Sequence, residues 1–60
     1  MSSFTLALNT DTAAFDENRP AEIARVLREA ADMLDNGNTG AKLRDYNGNP
    51  IGAFIIDTDE

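Results

Sequence analysis

The stretch Asp45-Tyr46-Asn47-Gly48-Asn49-Pro50-Ile51-Gly52 constrains this chain more than any other part of it. It places turn formers between two runs of strand-forming residues, Ala41 to Tyr46 and Ile51 to Ile56, and so fixes a C-terminal hairpin. Asn47-Gly48 tolerates positive φ at both positions, as the primed hairpin turns require. Asn49-Pro50 extends the loop to four residues, which keeps Pro50 out of the ladder. In that register Leu43 faces Phe54, Ala41 faces Ile56 and Tyr46 faces Ile51.

Upstream, Phe4, Leu6 and Leu8 alternate with Thr5, Ala7 and Asn9, a period of two that predicts a first strand with one buried face. Turn formers follow at Asn9-Thr10-Asp11-Thr12, and Phe15 is expected to anchor the next loop to the core. From Pro20 the period becomes helical: Ile23, Leu27, Ala30 and Leu34 share a stripe, flanked by Val26, Ala31 and Met33. The helix is predicted over about Pro20 to Asp35, capped by Asn18 or Arg19, with Glu22 in the first turn and Gly37 as left-handed terminator.

The predicted fold is α+β with the order β-α-β-β: a three-stranded antiparallel sheet, strand three central, with one helix packed on one face. Strand three goes to the centre because Ile51 to Ile56 is apolar on both faces. The helix-covered face would hold Phe4, Leu6, Leu8, Leu43, Phe54 and Ile56. The other would show Tyr46, Ile51, Ala53 and Ile55 beside Thr5, Ala7, Lys42 and Arg44, with nothing in the chain to cover them. The 60 residues read as one domain, with Asp57-Thr58-Asp59-Glu60 as a frayed acidic tail.

Composition excludes several jobs. With neither His nor Cys there is no zinc staple, no disulfide and no His- or Cys-based catalysis. Eleven acidic against five basic residues give a net charge of -6, which opposes nucleic-acid phosphates and anionic membranes alike. Calcium loops fail on spacing: the twelfth residue counted from Asp35 is Tyr46 and from Asp45 is Ile56, where a bidentate Glu is needed. Gly37-Asn38-Thr39-Gly40 lacks the lysine of a phosphate loop, and Asp11, Asp16 and Glu17 have no evident cleft in which to work as acid and base. No cofactor is expected, and the chain reads as non-enzymatic. The start Met1-Ser2-Ser3-Phe4 carries no basic or long apolar run, so neither signal peptide nor membrane span is predicted, and a cytoplasmic location is expected.

A chain this small needs help with stability, and without metal or disulfide the common remedy is oligomerisation. A homodimer is therefore expected. The apolar strip Tyr46, Ile51, Ala53 and Ile55 is the candidate interface, for a second copy or for a partner. The acids Asp11, Asp16, Glu17, Glu29 and Asp32 form a second candidate surface, towards a basic protein.

The residues Ala13-Ala14-Phe15, Glu22-Ile23-Ala24-Arg25-Val26-Leu27-Arg28, Ala31-Asp32, Leu34 and Leu43 to Gly52 resemble those of small, mostly uncharacterised accessory proteins encoded by bacteriophages and prophages. That resemblance covers most of the chain but carries no catalytic residue. It implies a protein that binds a host or phage protein, including host defence systems that such proteins inhibit. Two alternatives stand beside it: an oligomer that binds a small molecule or nucleotide between subunits, and a nucleic-acid-associated module using Arg25, Arg28, Lys42 and Arg44.

Overall fold

The computed structural model describes residues 2–58, in the order β1 (Ser2–Leu8), a 3-10 turn (Ala13–Phe15), α1 (Arg19–Asp35), β2 (Gly40–Arg44) and β3 (Pro50–Thr58). The sheet order is β1-β3-β2 and both pairings are antiparallel, so the strand with two apolar faces lies in the centre. The Asn18 side chain caps α1, accepting the Ala21 N–H at 3.2 Å, and Pro20 sits in the first turn where no N–H is missed. Gly37, at φ 94°, ends the helix in the left-handed conformation that a side chain resists. The core consists of Ala14, Phe15, Val26, Ala30, Leu43, Ile51 and Phe54.

The hairpin closes differently from expectation. Its loop is Asp45 to Asn49, and Pro50 opens β3 opposite Arg44, a strand position where proline is accepted. The Asp45 N–H donates to the Asn49 carbonyl and the Gly48 N–H to the Asp45 carbonyl, both at 2.9 Å, so the turn starts before Tyr46 can join β2. Ala41 now faces Phe54 and Leu43 faces Gly52, a shift of two residues that leaves both on the inner side. The pairing is irregular at Leu43/Arg44, where Ile51 falls between the partners Gly52 and Pro50. That bulge turns Ile51 into the core, at 4% exposure, instead of onto the outer face.

Two further expectations are corrected. The buried line of α1 runs through Glu22, Val26 and Ala30, and Leu27 is 45% exposed. The cause is polar: the Tyr46 N–H donates to Glu22 at 2.9 Å and Arg25 Nη2 donates to the Arg44 carbonyl at 3.2 Å. These contacts roll the helix towards β2, where its nearest sheet neighbours lie. Asp57 and Thr58, expected to fray, extend β3 opposite Ser3 and Ser2, and the rest of the acidic tail falls outside the described residues. The Cα envelope is 42 × 20 × 17 Å with a radius of gyration of 12.3 Å. A compact chain of this length has about 10 Å.

Candidate functional site

The face of the sheet turned away from α1 is open. Register places Ala7, Ala53 and Lys42 in one row across the three strands, and Thr5, Ile55 and Gly40 in the next. Small residues at Ala7, Gly40 and Ala53 leave a shallow trough of about 440 Å³, bounded by the Ile55 side chain, itself 57% exposed. Among the described residues Lys42 supplies the single formal charge of its lining.

Of the expected strip, Ala53 and Ile55 therefore lie together in the trough. Ile51 is in the core. Tyr46 is 61% exposed but sits in the hairpin loop, where it lines a separate hollow with Ala14, Glu17, Asn18, Ala21, Glu22 and Arg25. Thr5, Ala7 and Lys42 lie beside Ala53 and Ile55 as the alternation of the strands predicts, and Gly40, which has no side chain to mark a face, is placed there by strand register alone. Among the acids, Asp11, Asp16, Glu17, Glu29 and Asp32 are all exposed. They do not converge: the fourteen steps of helix from its Asn18 cap to Asp32 span about 21 Å at 1.5 Å per residue. Glu29 is also ion-paired with Arg25.

No match emerges from comparison with protein-family models, curated proteins or solved structures. Function has to be read from the surfaces alone.

Among the described residues two acidic side chains are buried, Asp45 and Glu22, and both are engaged in holding the hairpin. Asp45, 4% exposed, accepts from Thr12 Oγ1 at 2.7 Å, from the N–H groups of Asn47 and Asn49 at 2.9 Å each, and from Asn49 Nδ2 at 3.3 Å. Burial pushes its pKa up, but the hydroxyl of Thr12 and the donors of Asn49 and Asn47 together outweigh that and hold it below the usual carboxylate value. Glu22 is also lowered, chiefly by its hydrogen bonds with Arg25, whose Nε lies 2.8 Å from Oε1 and Nη2 2.9 Å from Oε2, with desolvation opposing and the Tyr46 N–H assisting. Arg25 in turn is pushed above its normal value. A general acid at neutral pH needs a raised carboxylate pKa, so these two groups are built to remain charged. The sequence signal for Asp45 was present: Asp followed two residues later by Asn-Gly is an Asx-turn pattern. The Thr12 contact joins residues 33 apart and had no local signal.

Proposed function

We propose that this chain is a non-enzymatic accessory protein that binds another protein through the outer face of its sheet. The observation that carries this reading is the open trough of Ala7, Gly40, Ala53 and Ile55, apolar but for Thr5 and Lys42, on a face that no part of the described chain covers. Burying a β-branched side chain such as Ile55 and filling a hollow of small residues gives a partner apolar contact, and Lys42 favours an acidic group at the rim. The resemblance to phage and prophage accessory proteins makes the partner a host or phage protein, and inhibition of a host defence system is the form of action it favours. Among the described residues no helix is long and apolar enough to cross a membrane.

The test is affinity capture from host lysate with the wild type, with Ile55→Glu and with an Asp16→Asn/Glu17→Gln variant. A specific prey retained by the wild type and by the Asp16/Glu17 variant, but lost with Ile55→Glu, supports the sheet face. Loss with the Asp16/Glu17 variant and retention with Ile55→Glu refutes it in favour of the acidic surface. An association rate that falls steeply with added salt argues the same way.

A further inference from the structure

We infer that a second copy of this chain adds to the free edge of β1, joining two three-stranded sheets into one across a two-fold axis at Thr5. This inference stands on the sheet edge and does not depend on what the outer face binds.

The two edges of the sheet differ. β2 is five residues long, carries Lys42 and Arg44, and meets a bulge. Short length, cationic side chains and bulges are the devices by which proteins block unwanted strand addition. β1 is seven residues, Ser2–Leu8, with regular pairing, no charge, no proline and no glycine. In a protein of net charge -6, two copies repel except where they meet through uncharged surface, and β1 provides it.

Apolar side chains are incompletely covered along that same flank. Arg25 reaches the Arg44 carbonyl and so marks the β2 side of α1. Leu27, two residues and about 200° further round a helix of 3.6 residues per turn, lies on the opposite side, the side of β1. Ile23 and Leu34 share that side and are only partly buried. Below them Leu6 and Leu8 are also only partly buried, and Phe4, 51% exposed, rests on Phe54 with ring centroids 6.0 Å apart. The helix leans towards β2 and leaves this seam open.

The backbone has the right parity to close it. The Asn9 N–H donates to the Ile51 carbonyl, so odd-numbered residues of this segment bond to β3, and Ser2, Phe4, Leu6 and Leu8 point their N–H and C=O groups outwards. A two-fold axis at Thr5, the middle of β1, pairs Ser2 with Leu8 and Phe4 with Leu6 of the second copy. Four outward residues, each with one donor and one acceptor, then form about eight inter-chain hydrogen bonds. Phe4 comes against Leu6 of the other copy beneath the two Leu27 side chains. Like any two-fold contact, the surface complements itself.

Thr5 then faces its own symmetry mate in a non-hydrogen-bonded pair, with Cα atoms about 4.5 Å apart. A disulfide spans about 4.4 to 6.8 Å, and the chain has no cysteine of its own. Thr5→Cys should therefore oxidise rapidly to a covalent dimer at micromolar concentration. Ser3→Cys mixed with Ala7→Cys should cross-link as a mixed pair, and Lys42→Cys and Ile55→Cys should not cross-link. Sedimentation of the wild type should give about twice the 6.5 kDa chain mass. Phe4→Glu and Leu27→Glu, at half-exposed positions, should weaken self-association by about tenfold or more while the helix signal in circular dichroism persists. A monomeric wild type overturns the inference, as does a dimer that cross-links through Ile55→Cys in preference to Thr5→Cys.

Discussion

Gly52 has no room for a side chain, because a Cβ built there collides with the backbone carbonyl oxygen of Ala7. The reason is steric and not conformational: among the glycines of the chain only Gly37 and Gly48 have positive φ. Gly52→Ala must push β1 and β3 apart at the end of their ladder, at a cost of about 1–3 kcal/mol. Its urea midpoint should fall well below that of the wild type, and an unchanged midpoint would show that the strands part freely there. The sequence displayed Gly52 as part of a turn-rich stretch. It did not display Ala7 beside it, because that approach joins the first strand to the last.

At the scale of elements, helix and strands were legible from period alone, whereas the roll of α1 was not. A stripe through Ile23, Leu27, Ala30 and Leu34 fits the helical period as well as the observed line through Val26 and Ala30. Glu22 and Arg25 decide between them by fastening one flank of the helix to the hairpin loop. Leu43→Ala, which removes a side chain 1% exposed, should cost about 2–5 kcal/mol. Leu27→Ala should cost about 1 kcal/mol or less when both are measured by denaturation of monomer at high dilution. Equal losses would mean that Leu27 is part of the core. Hairpin register was missed for a related reason: Asp45 captures the N–H groups of Asn47 and Asn49, and this fixes a loop one residue longer than a reading based on Pro50.

For the whole molecule, two buried carboxylates couple folding to pH. Both Asp45 and Glu22 have folded pKa values below their ordinary ones, so the unfolded chain binds protons more readily at mildly acidic pH. Their contribution is complete above the ordinary carboxylate range, about pH 4, and is lost as pH falls through the lower folded values. Urea midpoints should therefore drop as pH falls below about 4, after a plateau towards neutrality. Asp45→Asn should be less stable at neutral pH and show a shallower acid decline. A decline as steep as that of the wild type would place the titrating group elsewhere. Loss of Asp45 also releases Thr12, and with it the tie between the segment leading into Phe15 and the hairpin loop.

Sequence alone determined the α+β class, the order of elements, the central place of β3, a helix start at Asn18 or Arg19, its Gly37 end and the net acidic charge. Each rests on local information: period, turn chemistry, capping and counted charge act within a few residues. Tertiary structure decided which side of α1 is buried, where Ile51 points, that Gly40 and not Tyr46 joins Ile55 on the open face, and which sheet edge is left unguarded. These depend on a hydrogen bond from Thr12 to Asp45, on Arg25 reaching the Arg44 carbonyl and on a bulge opposite Leu43. Such contacts join segments far apart in the chain, and small rotations or single-residue insertions exchange inner for outer side chains without altering any local pattern.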